Sequence, residues 1–469
     1  MTSACITITP FGAAGEVTGS SYLVKTPHGS LLVDFGIFQG TPAAREKNRV
    51  PEDLNPRNLK AVLLTHAHLD HCGRLPLLVR AGFKAPIYCT QASIEMSRLI
   101  LEDAARVQES DTLAENKRRV RAGLPKIAPM YTEDDVVQTL ALMRPVEYGS
   151  PLALAPELQA TWHDAGHMLG SASIALKIGH DSKHTSVLFS GDIGPRRSPF
   201  LRDPVRFHDA DIVFMESTYG NRDHRTMNET LDELSSVVLE TVARRGRILV
   251  PAFAVGRTQE LLYHFATLQR EKRIPALPIF VDSPMAIEAM RIYAQNIDYF
   301  DKEAQDLIRS GQLQRELANV KACPTVEDSK ALNALEGPHV IIAGSGMCTG
   351  GRILHHLRNH LWKEDTTVMF VGFQSRGTLG RRIVDRQPRI SIHGIPVAVR
   401  ASIRTLGGFS AHAGRSELLA WLSTLAPGSP RVQLVHGEDE ARQSLASAIR
   451  DRYDLVVELP MQGVEIQAP

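Results

Sequence analysis

Short segments in which apolar and polar residues alternate open the chain. CITITPFG, SSYLVKT and GSLLVDFG follow this pattern and are separated by Gly, Ser and Pro, which predicts a meander of strands within the first 60 residues. LKAVLLTHAH then predicts an apolar strand, and GRLPLLVRAG predicts a helix with Pro76 in its first turn. Residues 92–145 have a helical period and many charges, and we interpret the basic run NKRRVR among them as a solvated helix face.

Strand patterns return in LQATWHDAG, ASIALKIG, TSVLFSGD and ADIVFMEST, and the pattern changes near residue 221. From there helical segments such as TQELLYHFATLQRE alternate with strands such as PHVIIAGSG, which predicts an α/β region with a mostly parallel sheet. A helix, RSELLAWLSTL, and a strand, RVQLVHGE, follow after about residue 400. Because 469 residues exceed what one hydrophobic core usually organises, we expect two domains or one domain with a large insertion.

Composition narrows the class of protein only slightly. Apolar residues make up 43% of the chain and charged residues 22%, which is typical of a globular protein. The net charge of +1 gives no overall field for nucleic acid or membranes, so a polyanion site must be a local patch. The start of the chain shows no leader pattern and no apolar run is long enough to span a bilayer, so we expect a cytoplasmic enzyme without a membrane partner. The five cysteines are widely spaced, and we interpret them as reduced thiols.

One short stretch, LLTHAHLDHCGR, concentrates metal-binding residue types directly after an apolar strand. His66 and His68 are two positions apart and share a face of an extended chain, so they can converge on one ion, while the next turn aims Asp70 and His71 at a second. This order of residues arises by chance with a probability of roughly one in a thousand. Imidazole and carboxylate without nearby thiolate favour an open, catalytic zinc site.

This cluster, together with GHMLGS at His167 and FSGDIG at Asp192, resembles the metallo-β-lactamase superfamily. The resemblance implies an α/β fold, an αβ/βα sandwich with the metals at the edge of the sheets. It also implies that Asp192 bridges two zinc ions, of which the first is held by His66, His68 and His167 and the second by Asp70 and His71. Asp34 in LLVDFG matches an aspartate of the family that orients a ligand imidazole.

The second half of the chain resembles the beta-CASP nucleases, in which an α/β domain is inserted into the metallo-β-lactamase domain. FMESTYGNRDH matches their first additional motif at Glu216, GGFSAHAGRSEL the second at His412, and VQLVHGE the third at His436. The resemblance implies a metallo-β-lactamase domain at 1–220 and 400–469 and a beta-CASP domain at 221–399. It further implies that His436 completes the second zinc site, and a His where DNA-acting members tend to carry Val points to RNA.

The resemblance also implies a reaction. Two zinc ions roughly 3.5 to 4 Å apart activate water and neutralise phosphate charge. His412, charge-stabilised by Glu216, is then the general acid that protonates the leaving oxygen, with Asp70 as a further catalytic residue. The products would be a 5'-phosphate and a 3'-hydroxyl.

Further motifs suggest substrate contacts. HVIIAGSGMCTGGR predicts a strand, a Gly-rich turn and a helix, and the family match makes Ser345, Gly346 and Met347 candidate contacts of a phosphate. Four arginines lie in matched motifs and are candidates for binding backbone phosphates in the cleft between the domains: Arg257, Arg352, Arg376 and Arg381.

Some histidines receive no metal role. His163 lies four residues before His167 in a Gly-flanked, loop-like segment and is assigned no ion. His356 and His360 are one helical turn apart but lack a third ligand, so we interpret them as a solvated helix face.

The pattern as a whole predicts a zinc-dependent ribonuclease that cuts single-stranded RNA as an endonuclease. Whether it also acts as a 5'-exonuclease, and whether it forms a homodimer, stays open. A DNA nuclease of the same superfamily is one alternative. A non-catalytic RNA-binding scaffold subunit is another, against which the complete ligand set argues. A small-molecule hydrolase and a diiron oxidoreductase on the same core are further alternatives, and His68 argues against the diiron enzyme, because those enzymes usually carry Glu there.

Overall fold

The computed structural model describes residues 6–40, 42–180, 183–375 and 377–468. The chain forms two compact units. Unit 1 comprises Met1–Asp223 and His412–Pro469, and unit 2 comprises His224–Ala411. Among the described residues, no helix combines the length and the apolar character needed to cross a bilayer.

Unit 1 contains two seven-stranded sheets. The strands of the first are β1 (Thr7–Gly12), β2 (Ser21–Thr26), β3 (Gly29–Val33), β4 (Leu59–Leu63), β5 (Ile87–Thr90), β6 (Met143–Val146) and β22 (Ile466–Gln467). Their order is β22-β1-β2-β3-β4-β5-β6, antiparallel as far as β3 and parallel from β3 to β6.

The strands of the second sheet are β7 (Leu152–Ala155), β8 (Leu158–Asp164), β9 (Ala172–His180), β10 (Lys183–Phe189), β11 (Ile212–Glu216), β20 (Arg431–Val435) and β21 (Val457–Glu458). The order is β21-β20-β11-β10-β9-β8-β7, and the pairs β10–β11, β11–β20 and β20–β21 are parallel. Apolar side chains of both sheets share one core, in which Tyr22 of the first sheet contacts Phe189 and Phe214 of the second.

Helices cover the outside of this sandwich. They are α1 (Pro42–Glu46), α2 (Leu69–Cys72), α3 (Leu75–Arg80), α4 (Gln91–Arg121), α5 (Glu133–Leu142), α14 (Arg415–Leu422) and α15 (Asp439–Tyr453). Thr90 caps α4, and a capping box of Thr132 and Asp135 begins α5, so both start where side chains satisfy their free backbone N–H groups. Trp421 of α14 and Leu445 of α15 pack in one core against the second sheet.

Unit 2 is built on a parallel sheet with helices on both faces. Its six strands, in the order β14-β13-β15-β12-β16-β19, are β12 (Arg247–Pro251), β13 (Ile279–Val281), β14 (Val320–Ala322), β15 (His339–Ala343), β16 (Thr366–Phe370) and β19 (Ser402–Thr405). A hairpin of β17 (Arg389–Ile392) and β18 (Ile395–Ala398) accompanies them. Ile248 packs in one core and its neighbour Leu249 in another, as expected for a strand buried on both faces.

The helices of unit 2 are α6 (Met227–Ala243), α7 (Arg257–Arg270), α8 (Pro284–Gln295), α9 (Lys302–Arg309), α10 (Gln312–Glu316), α11 (Val326–Ala331), α12 (Ile353–His360) and α13 (Leu379–Val384). Residues of α6, α7 and α8 enter the core that holds Ile248, whereas residues of α12 and α13 enter the core that holds Leu249.

The sandwich and the α/β second unit confirm the fold class expected from the sequence. Unit 2 ends later than the domain boundary expected at residue 400, because Ser402–Thr405 pairs in parallel with β16 and extends the sheet of unit 2. The interpretation of His356 and His360 as a solvated face is wrong. Both side chains are buried, since Asp282 and Arg247 respectively supply polar partners that the local pattern does not reveal.

Candidate metal centre and active site

The chemically important side chains of unit 1 follow the carboxyl ends of parallel strands. His66 comes shortly after β4, Asp192 after β10 and His436 directly after β20, while Glu216 is the last residue of β11. Carboxyl ends of parallel strands meet at one edge of a sheet, and open α/β sheets bind ligands there. The strand order therefore gathers residues that lie far apart in the sequence.

Asp70 and His71 are held by a tight junction. They lie in α2, a helix of one turn, and its carbonyl groups bond to the loop after β3: Phe35 N donates to His71 O at 2.8 Å. Gly36 is required here, because a Cβ on this residue would lie 1.6 Å from the Asp70 carbonyl oxygen. The ligand turn is thus fixed by backbone contacts on its inner side.

The first group of potential ligand atoms consists of His66, His68, His167 and Asp192. His68 Nδ1 lies 3.2 Å from His66 Nε2 and 3.0 Å from His167 Nε2. Asp192 Oδ2 lies 3.5 Å from His66 Nε2 and 3.4 Å from His167 Nε2. A tetrahedral metal ion with bonds of about 2.0 to 2.1 Å, such as zinc makes to imidazole, requires ligand atoms roughly 3.3 Å apart, so this set has the spacing of a tetrahedral metal site.

The second group consists of Asp70, His71 and His436. His436 Nε2 lies 3.2 Å from His71 Nε2 and 3.6 Å from Asp70 Oδ2. Asp192 borders this group, because its Oδ1 lies 3.3 Å from His71 Nε2 and 3.5 Å from His436 Nδ1.

The carboxylate of Asp192 thus has one oxygen on each group. Its Oδ1 is buried and makes no hydrogen bond to any described residue. A buried carboxylate oxygen without a hydrogen-bond donor is costly unless a cation compensates its charge. The side chains therefore fit metal ions on both sides of Asp192.

The pKa shifts of the first group of side chains favour metal binding. Burial lowers the pKa of His66 to about 3 and also lowers the pKa of His68 and of His167, which keeps these imidazoles neutral and able to bind metal. Burial opposes charge on Asp192 too, but the histidines around it, His436 and His71 foremost, hold its pKa well below the usual range.

His71 differs from the other ligands, because burial lowers its pKa but Asp192 and Asp34 outweigh that effect and raise it. Its Nδ1 lies 2.7 Å from Asp34 Oδ2. Asp34 also accepts hydrogen bonds from Ser20 Oγ and from the backbone and hydroxyl of Thr65. A carboxylate fixed in this way holds the imidazole with Nε2 directed at the second group.

Glu216 and His412 form a third buried contact beside Asp192. Glu216 Oε1 accepts a hydrogen bond from Ile193 N at 2.7 Å and lies 3.1 Å from His412 Nδ1. Burial disfavours the charged form of His412, but the charges of Glu216 and Asp192 prevail and raise its pKa to about 9. His412 therefore carries a proton at neutral pH, as a general acid must.

Thr218 contacts His436 on its Nδ1 side, where Asp192 Oδ1 also lies 3.5 Å away. Its Oγ1 donates to His436 O at 3.1 Å and lies 3.1 Å from His436 Nδ1, so it can accept that proton. This leaves the lone pair of Nε2 free to face His71.

Four hydroxyl residues that support the site are not distinguished by the sequence: Thr218, Thr65, Ser20 and Ser171. Ser171 Oγ accepts from the backbone N–H of His167 at 3.1 Å and shapes the loop that carries this ligand. The only signal for such residues is a hydroxyl beside a ligand, as in THAH. His163 is half-buried on β8, with its ring 5.0 Å from that of Phe207, and is absent from the ligand groups of the described residues.

In unit 2, the Gly-rich turn is held by hydrogen bonds within the turn and to other residues of the same unit. Ser345 Oγ accepts from Thr349 N at 2.9 Å, and Gly346 O accepts from Gln374 Nε2 at 2.9 Å. Met347 O accepts from Gly380 N at 3.2 Å. The helix begins only at Ile353, so the turn is longer than the sequence suggests.

The candidate arginines differ in how far their guanidinium groups are already paired and buried. The guanidinium of Arg352 donates to Asp282 and to the carbonyl groups of Cys323 and Pro324, which occupies it within unit 2. Arg257 pairs with Glu260 and is largely buried. Arg381 pairs with Asp385 and is partly exposed. Arg376 lies outside the described residues.

Three family models match successive parts of the chain. The model of the metallo-beta-lactamase superfamily matches residues 14–243, that of the Beta-Casp domain residues 258–383, and that of the Zn-dependent metallo-hydrolase RNA specificity domain residues 396–460.

Individual proteins are similar over almost the whole chain. Identity to ribonuclease TTHA0252 of Thermus thermophilus is 41% over 442 residues, which covers 94% of this chain and 95% of that protein. Identity to transcription termination factor FttA of Methanocaldococcus jannaschii is 32% over 468 residues, which covers 97% of this chain and 70% of that protein.

A solved structure of a protein of unknown function from Enterococcus faecalis V583 has a TM-score of 0.57 at 14% identity, covering 99% of this chain and 100% of that one. At this identity the likeness shows a shared fold alone. Three findings together show the family of this chain. They are the extent of the match to the Thermus protein, the three family models, and the cluster of His and Asp suited to metal ions. The chain belongs to the metallo-β-lactamase superfamily of metal-dependent hydrolases, and to its members that carry a Beta-Casp domain.

Proposed function

We propose that this protein is a ribonuclease that uses two zinc ions to hydrolyse phosphodiester bonds of single-stranded RNA, leaving a 5'-phosphate and a 3'-hydroxyl. The observation that carries the proposal is the buried carboxylate of Asp192, whose two oxygens face separate groups of ligand atoms. A pair of metal ions is the typical equipment for in-line displacement at phosphorus.

RNA is supported as the substrate by three features. One similar protein is named a ribonuclease, and residues 396–460 match a domain described by its RNA specificity. His436 occupies the position where DNA-acting members of the resembling family tend to carry Val. None of these features requires that RNA cleavage be coupled to transcription.

We assign roles to the residues as follows. His66, His68, His167 and Asp192 would hold one zinc, and Asp70, His71, His436 and Asp192 the other. When bound, the ions supply activated water and neutralise phosphate charge. Asp34 keeps the Nε2 of His71 directed inward.

His412 is the proposed general acid. Its proton at neutral pH is stabilised by Glu216, and it can be delivered to the departing 3'-oxygen of the RNA. Glu216 is itself fixed by the backbone N–H groups of Ile193 and Thr218, so the imidazole is held in one orientation. Ser345, Gly346, Met347, Arg257, Arg376 and Arg381 stay proposed substrate contacts, whereas Arg352 is already engaged by Asp282.

The test is cleavage of one end-labelled RNA by the zinc-loaded protein, beside a DNA strand of matched sequence. We expect RNA to be cut with 5'-phosphate and 3'-hydroxyl ends, and His68→Ala to abolish cutting. His28→Ala is the matched control, because His28 pairs with Glu157 and belongs to no ligand group. Equal cleavage by wild type and His68→Ala would refute the proposal, and preference for DNA would favour the DNA nuclease.

A further inference from the structure

A surface groove of unit 1 lies outside the ligand groups. It has a volume of about 280 Å³ and is formed by the segment around Arg49, the end of α3 at Arg80, and Met130. Val50 and Leu77 give it an apolar wall. None of the described residues that line it is acidic.

The two arginines are exposed and available to a ligand. Among the described residues, neither guanidinium makes a hydrogen bond or an ion pair. Other arginines of unit 1 are engaged, for example Arg196 with Asp203 and Arg431 with Glu458. A third guanidinium, that of Arg57, lies next to Gly82, two residues after Arg80. The described lining of the groove therefore carries two unpaired cations and no carboxylate, in a chain of nearly zero net charge.

A series of hydrogen bonds and one stacking contact joins this groove to the metal-ligand turn. Phe35 N donates to His71 O at 2.8 Å, and Arg74 N donates to Phe35 O at 2.8 Å. The buried guanidinium of Arg74 stacks on the Phe35 ring and donates to the carbonyl oxygen of Arg49 at 3.1 Å. Two hydrogen bonds between Asn48 and the backbone of Phe38, of 2.7 and 2.8 Å, hold the same segment. These contacts tie the groove directly to the segment that carries Asp70 and His71.

We propose that this groove binds the phosphates of a single-stranded RNA at a distance from the bond that is cut. The inference rests on the proposed function, because it concerns the same polyanionic substrate. Guanidinium groups recognise phosphate by paired hydrogen bonds, and Val50 adds apolar surface beside them. Arg80 is nine residues after His71, so the groove is at most about 30 Å from the ligand turn, within reach of one short RNA.

The contact acts on binding and not on the chemical step. Arg49→Gln together with Arg80→Gln should raise KM for an RNA of about 20 nucleotides roughly tenfold and leave kcat unchanged, because the contact is the same in the bound substrate and the transition state. Each lost phosphate contact also reduces the dependence of log Kd on log salt by about 0.7 for a single strand, so the double variant should lose about 1.4.

The matched control is Arg98→Gln with Arg118→Gln. These arginines of α4 are exposed and belong to the same unit, and their replacement changes the net charge by the same amount. The control should keep the wild-type KM and salt slope. Unchanged thermal melting of both double variants establishes that each is folded.

Binding is measured separately from cleavage. Fluorescence anisotropy of the zinc-loaded protein with a phosphorothioate RNA, which keeps its charge but resists hydrolysis, should show the same loss of affinity in the groove variant. Equal affinity of wild type and groove variant would overturn the inference, even if the wild type cleaves RNA. Arginine-dependent binding without any cleavage would instead overturn the proposed function and leave the groove as an RNA site.

Discussion

His412 and Glu216 lie 196 residues apart in the sequence, and 3.1 Å separates Nδ1 of the imidazole from Oε1 of the carboxylate. Glu216 is fully buried and its other contacts are backbone N–H groups, so it has no other charged partner among the described residues. In the proposed reaction this pair delivers the proton, and other residues bind the metal ions.

Removal of the imidazole tests that separation. His412→Ala should lower kcat by about 10² to 10⁴, the usual contribution of a positioned general acid, while the zinc content stays at the wild-type level. Cleavage rates and metal analysis of the same preparation check it. A variant that loses its zinc as well would make His412 a ligand and not an acid.

The pH profile follows from the same contact. Because Glu216 and Asp192 outweigh burial and raise the pKa of His412 to about 9, kcat/KM should fall as pH rises through about 9 and the acid loses its proton. Glu216→Gln removes one of these charges, so the descending limb should move to lower pH. An identical limb in both proteins would show that another group controls it.

Removal of the metal should weaken the fold as well as the activity. The ligand groups join β4, β10 and β20 through buried carboxylates and imidazoles, and ions that bind only the native state stabilise it by mass action. A chelator should therefore lower the melting temperature of unit 1, and zinc should restore it. Melting that is indifferent to chelator would contradict a buried metal centre.

Thr218 gives a test of imidazole orientation. Thr218→Val removes the hydroxyl beside His436 Nδ1 but keeps the branched shape, and zinc affinity should fall by about 10- to 100-fold, as for other partners of metal-bound histidines. Thr218→Ser keeps the hydroxyl and should keep the affinity. Competition with a coloured zinc chelator measures both. If the two variants bind zinc alike, the hydroxyl does not set the imidazole.

Unit 2 offers a prediction about stability. Asp282 is buried and receives Ser329, Arg352 and His356, with contacts of 2.6, 2.7 and 2.6 Å. Asp282→Ala leaves these groups without their acceptor and should destabilise the protein by about 3 to 5 kcal/mol. Asp306→Ala, at an exposed pair with Lys302, is the control and should leave denaturant unfolding almost unchanged.

The sequence predicted those features that short-range patterns carry. The spacing of His66, His68, Asp70 and His71 pointed to two ions before any fold was known, and the strand and helix periods predicted the sheet-rich first part and the α/β region after residue 221, whereas the sandwich was implied by family resemblance. The division of Asp192 between two ligand groups was implied by family resemblance alone, because sequence spacing contains no information on which way each carboxylate oxygen points.

Long-range partners explain the remaining differences. His356 and His360 were expected on a solvated face, and they are buried because Asp282 and Arg247 lie beside them, 74 and 113 residues away in sequence. A helix period reports which residues share a face, but it does not report whether that face meets a polar partner. The return to unit 1 at His412 depends similarly on the pairing of β19 with β16.

The zinc content of the purified protein, measured per chain after chelation and reloading, distinguishes two ions shared by Asp192 from a single site. We expect two zinc ions per chain in the wild type, one for each ligand group, and a loss of tight binding at both positions in Asp192→Ala. A single ion in the wild type, or two ions that survive in Asp192→Ala, would contradict it.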